Sequence, residues 1–146
     1  MSNKNIHNTA SLIHISNFAK YIFPFGNFIL PLLIWSLNRD KSSFIDDNGK
    51  RVLNFQFSIL CYFLIMLLIC IPIAINFGID FIHLTEIKDF RINDLAGFTS
   101  CIILLVLFCL FNSLLFIIDL LTTITGAIKA REGKLYNYPL TIKFIK

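Results

Sequence analysis

Asp119 is the one acidic residue inside the long apolar stretches of this 146-residue chain. A charged side chain at the centre of a bilayer costs about 2.5–3.5 kcal/mol on insertion scales, so its carboxylate should face other helices and find a partner there. The candidate partners are Lys20, His14 and Asn54. Two interpretations stay open, an ion or proton relay through the protein and a buried pair that holds its helices together.

Histidine and cysteine, frequent metal ligands and catalytic groups, do not form a recognisable site in the sequence. His7, His14 and His83 lie on three separate segments, without metal-ligand spacing. The four cysteines lie in apolar stretches and form no C-x-x-C motif, which favours small apolar side chains over a disulfide or a metal site. No common catalytic motif is present. The sequence predicts no enzyme activity, no catalytic residue, no cofactor and no metal site.

The distribution of charge predicts membrane helices. Charged residues make up 15% of the chain, against about 25% in a typical soluble domain, and none lies within 52–79 or 96–118. A helix needs about 20 mostly apolar residues to cross a bilayer. The predicted fold is therefore an all-α integral membrane protein with two long antiparallel transmembrane helices, over 52–78 and 96–131.

A third apolar segment, residues 9–38, is interrupted by the sequence P-F-G-N. Pro24 removes a backbone donor, Gly26 permits a turn, and Pro31 is tolerated in the first turn of a following helix. Each of the two arms is shorter than the about 30 Å hydrocarbon core. The segment is either one broken helix that crosses once or a short re-entrant hairpin whose arms return to the same side, and the hairpin is the preferred interpretation.

Lysine and arginine predict how the single membrane domain is oriented. Loop 39–51 contains four of them, the chain from Lys129 onward contains five, and the acidic loop 79–95 contains two. Cytoplasmic loops carry the excess of positive charge, so we predict a cytoplasmic loop 39–51, an external loop 79–95 and a basic cytoplasmic tail. The tail is 132–146, and a polar leader occupies 1–8. Asp46 or Asp47 is the predicted N-cap of the first long helix.

The end of the chain alternates apolar with polar or basic residues. Leu140, Ile142 and Phe144 are the apolar members of this pattern. One interpretation is an anchor at the membrane interface. The other is a strand that docks on a partner surface.

Three blocks of the chain, 14–35, 44–56 and 130–146, resemble a widespread family of small bacterial membrane proteins of unknown function. That family has been compared with the small four-helix subunit of the chloroplast inner-envelope import translocon. Where the family often has histidine or an acid, this chain has Asn48. With Asp119, the resemblance marks these structural or interaction candidates: Pro24, Gly26, Asn27, Pro31, Trp35, Asn54, Phe55, Gln56, Gly133, Tyr138 and Pro139.

Small size, the lack of a catalytic motif and the patterned basic tail predict a non-catalytic small membrane subunit, or an assembly factor, of a larger membrane complex. The alternative is a pore or transport component, such as one for protein translocation, because broken helices line transport sites. The expected partners are the lipid bilayer and other membrane subunits or a second copy of the chain, with no nucleic acid. The resemblance implies the bacterial inner (cytoplasmic) membrane, which the predicted helices cross more than once, and the distribution of positive charge predicts a cytoplasmic C-terminus.

Overall fold

The computed structural model describes the backbone of residues 2–86 and 92–146, and the side chains of 2–76, 78, 99–100 and 102–146. These residues are helical or irregular and contain no strand, which confirms the all-α prediction. The helices are α1 Asn3–Ile15, a 3-10 helix Ser16–Tyr21, α2 Gly26–Asn38, a 3-10 helix Arg39–Lys41, α3 Ser43–Glu86 and α4 Ile92–Arg131.

Helices α3 and α4 each contain a stretch that is long and apolar enough to cross a membrane, Ser43–Asn76 and Ile102–Arg131. Only 6% and 11% of their most apolar windows is buried against the rest of the protein. Apolar side chains that face outward over such a length are typical of helices surrounded by lipid. The prediction of two long apolar helices is therefore confirmed.

Both predicted loops differ from the structure. Residues 43–51 belong to α3, because Ser42 caps the helix. The Ser42 hydroxyl accepts from the Phe44 amide at 3.2 Å, and the Ser42 carbonyl accepts from the amides of Ile45 and Asp46. The predicted N-cap at Asp46 or Asp47 is therefore wrong by one turn. Of the predicted loop 79–95, residues 79–86 and 92–95 are helical, and 87–91 lie outside the described residues.

The N-terminal segment breaks where Pro24 predicts that it should. Residues 22–25 interrupt the helical arms, and Phe25 adopts a left-handed conformation with φ of 61°. Gly26 then packs directly on the backbone of Ala19, where a Cβ atom would overlap the Ala19 carbonyl. Helix α2 starts at Gly26, so Pro31 lies in its second turn rather than its first.

The first arm, residues 3–21, runs antiparallel to α4. Residues with higher numbers in the arm contact residues with lower numbers in α4. These contacts pair Ser11 with the Ala127 carbonyl at 2.9 Å, Asn17 with Thr123 at 3.3 Å and Lys20 with Asp119.

The second arm, α2, runs antiparallel to α3. The Asn27 amide donates to Gln56 at 2.8 Å, and further along the arm the Trp35 indole donates to Asp46 at 2.9 Å. The chain therefore reverses between the arms. Both open ends of this helical hairpin lie near the start of α3 and the end of α4.

The chain divides into two compact units, one made of 1–60 and 117–146 and the other of 61–116. The first unit holds the buried core, whose members come from both arms, α3 and the tail: Ile13, Trp35, Ile45, Val52, Leu53, Phe55 and Tyr138. Of the large apolar side chains that the structure describes in the second unit, most are exposed, including Leu68 and Leu105.

Candidate functional site

An ion pair between Lys20 and Asp119 lies inside the first unit. Asp119 is only 5% exposed, and its second carboxylate oxygen accepts from the Gln56 amide at 2.9 Å. The Asn27 amide donates in turn to the side-chain oxygen of Gln56, Oε1. Three of the residues that the family resemblance and the apolar-stretch analysis singled out, Asn27, Gln56 and Asp119, therefore form one connected cluster with Lys20.

Asn17, in the 3-10 helix Ser16–Tyr21, and Thr123, in α4, extend this cluster. The Thr123 hydroxyl lies 3.5 Å from an Asp119 oxygen and accepts from the Asn17 amide. The side-chain oxygen of Asn17, Oδ1, is buried and has no hydrogen-bond partner among the described residues. The cluster thus contains one strong acceptor that the described side chains and backbone do not satisfy.

His14 forms a second buried cluster, with Tyr138 and Asn48. Its Nδ1 lies 2.5 Å from the Tyr138 hydroxyl, and its Nε2 lies 2.9 Å from the Asn48 side-chain oxygen. Burial raises the pKa of Tyr138 well above its usual value, so the phenol keeps its proton and donates to Nδ1. Nε2 then carries the imidazole proton and donates to Asn48. These bonds define one neutral tautomer of His14.

Gly126 makes room for this second cluster. A Cβ atom there would lie 2.5 Å from His14 Nδ1 and 3.0 Å from the Tyr138 hydroxyl. The absence of a side chain at Gly126 therefore lets the His14 imidazole approach α4 closely. Asn48, the departure from the family pattern, supplies its acceptor, and its own amide donates to the Phe44 carbonyl at 2.7 Å.

Trp35 joins the end of α2 to the first turns of α3. Its indole N–H donates to Asp46, and Asp46 also pairs with Lys50 at 2.6 Å. The Arg39 guanidinium lies over the indole at 5.5 Å. Trp35 is itself buried, so its hydrogen bond to Asp46 holds the C-terminal end of α2 against α3.

The tail docks on α3 through the side chains of Asn54 and Ser58. The Asn54 amide donates to the Ile145 carbonyl at 2.9 Å, and its oxygen accepts from the Phe144 and Ile145 amides at 3.0 and 2.7 Å. Ser58 accepts from the Ile142 amide at 2.8 Å. Asn54 therefore satisfies three backbone groups of the tail. The segment that the alternating pattern suggested as a docking strand is irregular in the structure and binds α3 of the same chain.

The remaining candidates are placed as follows. Pro24 and Pro139 are exposed at bends, and Leu140, directly after Pro139, has a φ of 57°. Gly133, with a φ of 76°, lies two residues after the end of α4 at Arg131. Asn54, a candidate partner of Asp119, binds the tail instead. Sequence spacing did not reveal that use, because Asn54 and the backbone it binds are 91 residues apart.

Fold and site together define a small all-α membrane protein, in which a helical hairpin and an irregular tail bind the ends of two apolar helices through buried polar side chains. The chain belongs to the MamF_MmsF family, described as the magnetosome magnetite crystal formation protein family, whose model matches residues 5–145. Comparisons with curated proteins and with solved structures find no match. The resemblance to a family of small bacterial membrane proteins is confirmed, and no link to the import translocon subunit is shown.

Proposed function

We propose that this chain is a non-catalytic accessory protein of the bacterial cytoplasmic membrane, acting as a subunit or assembly factor of a larger membrane complex. The observation that carries the proposal is how the buried polar groups are used. Asp119, His14 and Asn54 each bind groups of other segments of the same chain. Groups held in this way position helices, whereas a catalytic base or nucleophile needs to face a substrate.

The outward surface supports a role in contact with other membrane components. In the second unit, Leu68, Leu105 and Leu110 are 72%, 65% and 62% exposed. These side chains need lipid or an apolar protein surface around them. We expect the bilayer and either other membrane subunits or a second copy of the chain to supply it.

The description of the family adds a process to this role. It names the formation of magnetite crystals in magnetosomes, and it names no reaction. We propose that the accessory role of this chain belongs to the assembly or maintenance of such a membrane compartment.

Crosslinking in native membranes, followed by purification of the full chain in mild detergent, tests the accessory role. We expect a species larger than the monomer, with a reproducible membrane protein or a second copy attached. A monomer with no crosslinked neighbour at native expression level would overturn the proposal. The matched control is a variant of the chain in which the order of the tail residues is scrambled, expressed at the same level. It identifies proteins that co-purify non-specifically in the detergent.

We further propose that the hairpin is re-entrant and that both chain ends are cytoplasmic. The antiparallel contacts of both arms support this topology, because they place the hairpin turn at the level of Gln56 and its open end at the level of Asp46. Ten residues of helix separate these levels, which corresponds to a depth of about 15 Å, half of the hydrocarbon core. The basic residues of 39–51 and of the tail then share the cytoplasmic side.

Reporter fusions test this topology. Alkaline phosphatase, active only outside the cytoplasm, and a fluorescent protein, fluorescent only inside, are fused in turn to each end of the chain. We expect fluorescence without phosphatase activity at both ends. Phosphatase activity at the N-terminus would establish the single broken span instead.

A transport role is the second candidate, favoured by the unsatisfied Asn17 oxygen beside the Lys20–Asp119 pair. Buried polar groups at a broken helix are typical of transport sites. Proteoliposomes that contain the purified chain would show proton or cation flux that Asp119→Asn abolishes and that Asn112→Ala, a change elsewhere in α4, leaves intact. The absence of flux under any imposed gradient removes this candidate.

A further inference from the structure

An open pocket of about 550 Å³ lies between the first turns of α3 and the tail. Its volume falls within the usual range of small-molecule sites, about 300–1,000 Å³. Four cationic side chains line it, namely Lys50, Arg51, Lys143 and Lys146, together with the single acid Asp47. We name it the tail pocket. A second cavity of about 410 Å³ shares Lys50 and Lys146 with it.

The cations of the tail pocket are unevenly committed to the protein. Lys50 pairs with Asp46, and Arg51 donates through Nη1 to the Tyr136 carbonyl and to Asn137. These bonds hold the guanidinium in place and leave its Nε and Nη2 protons available. Lys143 and Lys146 are exposed, and within the described part of the chain neither has a hydrogen bond or an ion pair.

We infer that the tail pocket binds a phosphate anion, carried by the headgroup of an anionic phospholipid. An arginine with fixed donors beside several lysines is the arrangement that suits phosphate oxygens. The pocket also lies at the start of the apolar stretch of α3, the level at which headgroups lie if the proposed membrane placement is right. The lipid source of the phosphate rests on that placement.

The alternation of the tail supports a lipid source. Thr141 and Lys143 line the pocket, whereas Leu140, Ile142 and Phe144, which alternate with them in the sequence, are exposed. The tail therefore presents polar side chains to the pocket and apolar side chains outward, as expected for a segment at the membrane–water boundary.

Native mass spectrometry of the full chain in neutral detergent measures headgroup binding. The probes are phosphatidylglycerol and, for comparison, zwitterionic phosphatidylcholine. The test variant is Lys143→Gln with Lys146→Gln, which leaves the fixed Arg51 untouched. The control variant is Lys4→Gln with Lys134→Gln, which removes the same charge from positions outside the pocket.

We expect wild type and the control to retain phosphatidylglycerol over phosphatidylcholine, and the test variant to bind it about ten- to thirty-fold more weakly. This range follows from roughly a five-fold effect for each basic residue near an anionic headgroup, reduced by screening. An unchanged melting temperature without lipid shows that the test variant is folded. The site would be overturned if phosphatidylglycerol binding weakened equally in both variants, or if the wild type showed no preference between the two lipids, unless the soluble phosphate of the next experiment binds.

A titration with soluble glycerol phosphate distinguishes the two sources of phosphate. Wild-type binding that the test variant loses, without any preference for phosphatidylglycerol, assigns the pocket to a soluble phosphate. If neither probe binds, the inference is wrong. This outcome is independent of the accessory role, which fails in the crosslinking experiment rather than in the lipid titration.

Discussion

Replacing Asp119 with leucine removes the acceptor on which three groups of the first unit converge. The Lys20 ammonium loses its counter-ion, and the Gln56 amide and Thr123 hydroxyl lose an acceptor. Removal of one member of a buried ion pair costs about 3–5 kcal/mol, because the other charge stays buried alone. The Lys20 side chain is 24% exposed and can reach water, so we expect a smaller cost, about 2–3 kcal/mol.

A second substitution separates the cost of the stranded charge from the value of the pair. Lys20→Met together with Asp119→Leu replaces both charges with apolar groups of similar length. Such a replacement is often neutral or stabilising, but Gln56 and Thr123 still lose their acceptor, so we expect the double variant to be about 1 kcal/mol less stable than the wild type. Because Lys20→Met alone also leaves a buried charge unpaired, the corresponding double-mutant cycle should give a coupling energy above about 2 kcal/mol.

The assay is equilibrium unfolding by sodium dodecyl sulfate in mixed micelles, followed by circular dichroism, because thermal unfolding of membrane proteins is frequently irreversible. Asn112→Leu is the matched control, since among the described residues the Asn112 amide donates only to the Phe108 carbonyl of its own helix. The control should change stability by less than 1 kcal/mol. If Asp119→Leu is as stable as wild type, or if the double variant is no better than the single one, the reasoning is refuted.

Three other substitutions test the second cluster and the tail. Tyr138→Phe leaves His14 Nδ1 without its donor and should cost about 1–2 kcal/mol in the same unfolding assay; an unchanged midpoint would contradict the bond. Gly126→Ala places a methyl group against the buried His14 ring and should cost about 1–3 kcal/mol, whereas Gly78→Ala, where a Cβ meets nothing within 4 Å, should stabilise by up to about 1 kcal/mol. Asn54→Ala removes the three hydrogen bonds that hold the end of the tail, and limited proteolysis should then cleave the tail several-fold faster; equal rates would show that the tail is held by other contacts.

The helical architecture was largely predictable from the sequence, because its signals are local. The uncharged stretches within 52–79 and 96–118 predict two long helices, and Pro24 predicts the break in the N-terminal segment. The helix ends were less predictable. Asp46 and Asp47 suggested a loop and a cap, yet the helix starts at Ser43, because Ser42 satisfies the first amides and Trp35 binds the first turns.

The candidate site was predictable only in its residue types. Asp119 needs a partner because lipid cannot solvate it, and that follows from the sequence alone. The choice of Lys20 over His14 and Asn54 depends on a contact between residues 99 positions apart. His14 instead binds Asn48 and Tyr138, and Asn54 binds the tail.

The sequence by itself determined that this is an all-α protein with two lipid-compatible helices, because apolar length and backbone breaks act within a few turns of chain. Only the tertiary structure decided which polar groups meet, that the hairpin reverses beside α3 and α4, and that the tail returns to Asn54. Hydrogen bonds between side chains depend on distances of about 3 Å. Residues far apart in the chain reach such distances only through packing, which no local pattern encodes.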